Sequence, residues 1–211
     1  AEAVIRRSKF YDIIVENGFN FIVVDYAGKS PKKDNYTRYP ESLSYCDYAS
    51  NKDAVYKPVS ADKSPWFTWM KVVRRAITLA FDESNVDKDR FFLIGNAEGG
   101  QLAWKVAGID GRVSAVIPVG ACGFTEFFNK PKYDNNPKTQ FSDEMECYLA
   151  GLSTQAYARM LTCPVYYVAG TNSSYADIDR VTDLFNLIPH DKKFASFSPG
   201  TNMSISVANF T

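Results

Sequence analysis

The sequence predicts an α/β chain organised on a doubly wound, mostly parallel sheet. Short apolar runs at residues 19–25, 90–94, 113–119 and 165–169 read as strands buried on both faces. Stretches of helical period at residues 3–16, 66–81, 98–107 and 176–187 alternate with them. Strand–helix alternation of this kind builds a parallel sheet, with ligands at the carboxyl ends of its strands. At 211 residues, 45% of them hydrophobic, the chain has the apolar content for a proper core, and residues 1–211 are read as one domain.

Each element has its own signal. The first helix is stopped by Asn17-Gly18, and the apolar run 19–25 follows directly. Residues 26–64, rich in tyrosine, proline and serine, are too long for a simple connector and read as an insertion covering the functional face. In the helix 66–81, Trp69, Val72, Val73, Ala76, Ile77 and Ala80 fall on one stripe. Strand 90–94 leads through a glycine-bearing turn into the helix 98–107, where Gly99 and Gly100 allow close approach to the sheet. After strand 113–119 a second insertion, residues 123–162, carries Phe124, Phe127, Phe128 and Tyr133 and then a helical stretch near 153–161; it reads equally as a lid or a plain surface excursion. Strand 165–169, helix 176–187 and strand 193–198 complete the alternation.

Composition removes several function classes. Lysine plus arginine equals aspartate plus glutamate, 24 each, so no global field draws in nucleic acid or an anionic membrane. No apolar run approaches the ~20 residues that span a bilayer, and the N-terminus lacks a signal-peptide pattern. Cys46, Cys122, Cys147 and Cys163 form no C-x-x-C pair, His190 is the single histidine, and no metal site or cofactor is expected. His190 lies in a polar helix-to-strand connection and is expected to face solvent; Cys122 is expected to be buried and inert. N-x-S/T triplets begin at Asn35, Asn172, Asn202 and Asn209, a pattern that leans towards an extracellular setting.

The segment Phe91-Phe92-Leu93-Ile94-Gly95-Asn96-Ala97-Glu98-Gly99-Gly100 has the form of a nucleophile elbow, a sharp strand-to-helix turn with glycines two residues either side of the nucleophile. Ala97 stands at the nucleophile's place, and a methyl group cannot form an acyl-enzyme. With Trp66-Phe67-Thr68-Trp69-Met70, Leu152-Ser153-Thr154-Gln155-Ala156-Tyr157-Ala158 before Cys163-Pro164-Val165, and the turns Gly170-Thr171-Asn172 and Pro199-Gly200-Thr201-Asn202, the chain resembles serine α/β-hydrolases of the acetyl-xylan-esterase and PhoPQ-activated-protein type. The resemblance covers residues 64–206. In those hydrolases the last two turns resemble T-N-D and N-H, which implies that the acid position is Ser173 and the histidine position Met203. All three triad positions, Ala97, Ser173 and Met203, therefore depart from the family's pattern.

The resemblance implies an α/β-hydrolase-like sheet lacking its N-terminal strands. The strand expected between 19–25 and 90–94 has no counterpart, which leaves two central edges to be filled by a longer polypeptide, a second chain or another copy, or by rearrangement. Plain alternatives stand beside each site residue: Ala97 as a small residue in an ordinary turn, Met203 as core filler, Glu98 as a carboxylate favoured at a helix N-terminus. Tyr36, Tyr39, Tyr45, Tyr48 and Tyr56 suit stacking on sugar rings or the small core of a long loop. The pocket residues expected are Tyr26, Asn96, Glu98, Phe124, Asn172 and Asn202. The leading functional expectation is an inactive hydrolase-like domain with a binding or structural role, its ligand a carbohydrate or an ester. The alternatives are an active esterase completed by unconventional residues or another chain, and a multimer built through open strand edges.

Overall fold

The structure, a computed structural model, describes residues 9–28, 37–47, 57, 60–124, 140–173 and 177–202. Two compact units make up the chain, Ala1–Val86 and Asp87–Thr211.

In the first unit, helix α1 spans Lys9–Glu16. It ends as its sequence requires: the Asn17 side-chain amide donates to the Ile13 carbonyl at 2.8 Å, and Gly18 takes a left-handed φ of 80°. The strand expected at residues 19–25 does not form; these residues join no ladder, and Phe19, Ile22 and Val23 are exposed. Apolar composition favours a strand, but its hydrogen bonds come from a neighbour, and none lies beside this segment among the described residues. The following loop is held by its own polar groups instead. The Thr37 amide donates to the Asp25 carboxylate at 2.9 Å, and the Tyr39 hydroxyl donates to the Tyr26 carbonyl at 2.7 Å.

Tyr39 thus serves the packing of its own loop; Tyr36, Tyr48 and Tyr56 lie outside the described residues. Short 3₁₀ turns at Glu41–Cys46 and Ala61–Lys63 follow. Helix α2, Pro65–Phe81, starts with proline, whose missing N–H costs nothing in a first turn. It buries Trp66, Trp69, Met70, Val73, Ile77 and Ala80, so the expected stripe is present with Val72 and Ala76 at its half-buried margins. The Trp69 indole donates to the Cys46 carbonyl at 3.0 Å, and the Tyr26 ring stands edge-on to it at 5.3 Å.

In the second unit four parallel strands, β1 Phe92–Asn96, β2 Ala115–Val119, β3 Val165–Gly170 and β4 Lys193–Ser198, lie side by side in the order β1-β2-β3-β4. Helix α3, Glu98–Ile109, crosses from β1 to β2; α4, Asp143–Leu152, and α5, Thr154–Ala158, lie between β2 and β3; α6, Ile178–Leu187, joins β3 to β4. Parallel neighbours require such crossovers, and the apolar β2 and β3 form the sheet's interior. Phe127, Phe128 and Tyr133 of the second insertion lie outside the described residues.

Helix α3 is buried from Leu102 to Ala107 without interruption, which the period alone did not foretell. Within that run, the Trp104 indole donates to the Ala121 carbonyl at 2.8 Å. Lys105 is 1% exposed, and loss of hydration brings its ammonium down to about 7 from 10.5. Its folded-state pKa lies below the unfolded one, so between pH 7 and 10.5 the unfolded chain binds more protons and stability rises with pH. We expect urea unfolding to give a chain ~2 kcal/mol more stable at pH 9 than at pH 7, and Lys105→Met to flatten that difference.

Candidate functional site

Parallel strands bring all four carboxyl ends to one edge of the sheet, and the turns leaving them are tied to one another. Between β1 and α3 the backbone at Ala97 adopts φ 51° and ψ −118°, a conformation that costs a non-glycine residue ~1–3 kcal/mol. The Ala97 amide donates to the Val119 carbonyl at the end of β2 (2.9 Å), and its carbonyl accepts from the Gln101 amide (3.0 Å), which fixes the bend. Glycine is a requirement at position 95, where a Cβ would come within 2.0 Å of the Gly99 carbonyl oxygen.

Beyond β2, the Gly120 amide donates to the Val168 carbonyl of β3 at 2.8 Å. Gly120, Gly123 and Phe124 all have positive φ, and the Phe124 amide donates to the Gln155 side-chain oxygen at 3.1 Å. Past β3 and β4 the two remaining turns interlock. The Gly170 amide donates to the Asn202 carbonyl (2.9 Å), the Asn172 amide to the Thr201 carbonyl (3.0 Å) and the Gly200 amide to the Thr171 hydroxyl (3.0 Å). Ser173, which follows this junction, has a fully shielded hydroxyl with no hydrogen-bond partner among the described residues.

The structure therefore places Asn96 at the end of β1, Ala97 in the bend, Glu98 at the start of α3, and Phe124, Asn172, Ser173 and Asn202 in the segments that follow β2, β3 and β4. Asn96, Asn172 and Asn202 are exposed; Ala97, Glu98, Phe124 and Ser173 are half-buried. Met203 lies outside the described residues, one position after the Asn202 carbonyl that binds Gly170. Tyr26 belongs to the first unit, where its ring and carbonyl are engaged by Trp69 and Tyr39. Glu98 occupies the first turn of α3, where a carboxylate complements the helix dipole.

Sequence reasoning missed two buried hydroxyls, Tyr167 Oη, whose burial raises its pKa, and Thr154 Oγ1, which has no hydrogen-bond partner among the described residues. Neither residue type stands out in a strand or helix pattern. His190 departs from expectation: in a connection whose neighbours Pro189, Asp191 and Lys192 are exposed, its side chain is half-buried and both ring nitrogens are shielded from solvent and unpartnered among the described residues. Burial pushes the Cys122 thiol up to about 12, so it carries no thiolate at neutral pH. All four cysteines are free thiols. Among the described residues, no group of three His, Cys, Asp or Glu is placed to hold a metal ion, and no helix is long and apolar enough to cross a membrane.

No protein-family model matches the chain. An acetyl esterase, Axe7A, of Xylanibacter ruminicola is 26% identical over 222 residues, covering 97% of this chain and 47% of the relative. Among solved structures, an acetyl xylan esterase from Paenibacillus sp. R4 matches with a TM-score of 0.59 at 14% identity, over 74% of this chain and 52% of that one. Acetyl xylan esterase 1 from Thermoanaerobacterium sp. JW/SL YS485 matches with a TM-score of 0.58 at 15% identity, over 88% of this chain and 58% of that one. The chain spans about half the length of the curated relative it matches. The parallel sheet, the helices crossing between its strands and the solved structures that superpose on it give one conclusion: this chain carries the α/β-hydrolase fold.

Proposed function

We propose that this chain is a hydrolase-fold domain without hydrolase chemistry, and that it binds an acetylated carbohydrate or a related ester instead of cleaving it. The observation that carries this reading is Ala97, a methyl group on a strained bend at the carboxyl edge of the sheet. At that point a nucleophile would gain exposure from the turn, and alanine supplies none. Two further observations support it. The unpartnered Ser173 hydroxyl sits where the resemblance puts the acid, and hydrogen bonds tie the turn that leads to it, Gly170 to Asn172, to Thr201 and Asn202. A hydroxyl and a thioether cannot relay a proton at neutral pH. The exposed Asn172 and Asn202 sequons are consistent with an extracellular setting.

The purified chain should hydrolyse p-nitrophenyl acetate no faster than buffer and should bind acetylated xylo-oligosaccharides in a calorimetric titration. Turnover that persists through repurification overturns this reading. A second reading, an active esterase that uses unconventional residues or a second chain, is favoured by the likeness to the acetyl esterase of Xylanibacter ruminicola. Labelling with a fluorophosphonate probe separates the two, because an active-site serine takes up the probe and the proposed site stays unlabelled.

A further inference from the structure

We propose that a groove between α4 and α5 is a subsite for one neutral sugar residue of the ligand, an inference that rests on the carbohydrate-binding role proposed above. The groove has a volume of about 410 Å³, within the ~300–1,000 Å³ usual for small-molecule sites, and Glu146, Leu149, Ala150, Ser153, Gln155 and Arg159 line it. It lies where one helix gives way to the next: Ser153 closes α4, its amide donating to the Leu149 carbonyl at 2.8 Å, and is the N-cap of α5. Gln155 joins the groove to the edge of the sheet. Its side-chain oxygen accepts from the amide of Phe124, just past β2, at 3.1 Å and holds that residue at a φ of 55°. A bulky residue keeps such a backbone only where its surroundings impose it, and strain of this kind gathers at ligand clamps.

The lining selects the class of occupant. Arg159 is exposed, forms no ion pair among the described residues, and can only donate. Glu146 can only accept, and a carboxylate takes several donors at once, so it serves its own neighbours and a ligand together. Ser153 caps α5 without accepting the helix amide that an N-cap hydroxyl ordinarily takes. A ligand hydroxyl suits all three, because it donates to the carboxylate and accepts from the guanidinium. One acid and one base cancel, so the groove favours neither an anion nor a cation. Leu149 and Ala150 add carbon surface, which matches the apolar face of a pyranose ring. Hydroxyls around an apolar face, without net charge, describe a neutral sugar.

Calorimetric titration of the 211-residue chain with xylotetraose, which carries no acetyl group, tests this and should show saturable binding. Arg159→Ala removes charged hydrogen bonds and Ala150→Trp fills the groove from its exposed rim; each should weaken that binding at least ~10-fold. Far-UV circular dichroism confirms that both variants are folded. Triglycine and glucuronate are the charged probes, and tighter binding of either one than of xylotetraose overturns the subsite. So does an absence of xylotetraose binding up to ~10 mM. The two proposals fail separately. If acetylated xylo-oligosaccharides bind the parent and both variants alike, the reading of an inactive binding domain stands and the subsite falls. If the parent hydrolyses p-nitrophenyl acetate while both variants lose xylotetraose, that reading falls and the subsite stands.

Discussion

Ala97→Ser alone should leave hydrolysis of p-nitrophenyl acetate at the buffer rate, whereas adding Ser173→Asp and Met203→His should raise kcat/KM by ~10²-fold. A serine hydroxyl at position 97 gains nothing from its strained bend unless a base removes its proton in the transition state. The base in turn needs a carboxylate to hold its tautomer and stabilise its charged form. The Gly170–Asn202 hydrogen bond at 2.9 Å joins the two loops that would carry that pair. General-base assistance of this kind contributes ~10²–10⁴-fold, and the lower end is expected for a base and acid newly installed on this scaffold. Steady-state kinetics on the single and triple variants provides the measurement. A triple variant that folds and remains at the parent rate removes positions 97, 173 and 203 as a functional set.

The second large effect falls on stability. Gly170→Ala would place a Cβ 1.9 Å from the Thr201 carbonyl oxygen and 2.2 Å from that of Asn202, both backbone atoms with no rotamer to yield. Relief requires separating the interlocked turns and losing the Gly170 and Asn172 amide hydrogen bonds. A cost of ~3 kcal/mol is expected, seen as a fall in Tm of ~6–12 °C for a chain of this size. Gly111→Ala, with nothing within 4 Å of the added methyl, is the control and should change stability by no more than ~0.5 kcal/mol. A Gly170→Ala melt matching that control would show that the two turns are free to separate.

Features governed by local sequence were legible in advance. The α2 stripe follows from its 3.6-residue period, β4 has the expected bounds, and the glycine at position 95 is explained by the contact a Cβ would make with the Gly99 carbonyl. β1 runs two residues later than expected because Gly95 and Asn96, which look like turn residues, still pair with Pro118 and Val119. Features set by distant neighbours were not legible. Residues 19–25 have the composition of a strand, but a ladder is a property of two segments. Lys105 and His190 are polar types that sequence reading assigns to water, and only the packing around them buries the one and shields the ring nitrogens of the other. Tyr26, expected in the pocket, has its ring beside Trp69 and its carbonyl bonded to Tyr39 within the first unit, contacts that no local pattern announces.

The unbroken order β1-β2-β3-β4 also governs how the sheet is assembled. Each ladder joins a strand to its immediate successor, so every closure spans only one crossover and the second unit can zip forward as the polypeptide lengthens. Growth of that kind has a direction: each newcomer caps the strand that preceded it. β1 starts the series, and none of its described successors ever shields its outer rim.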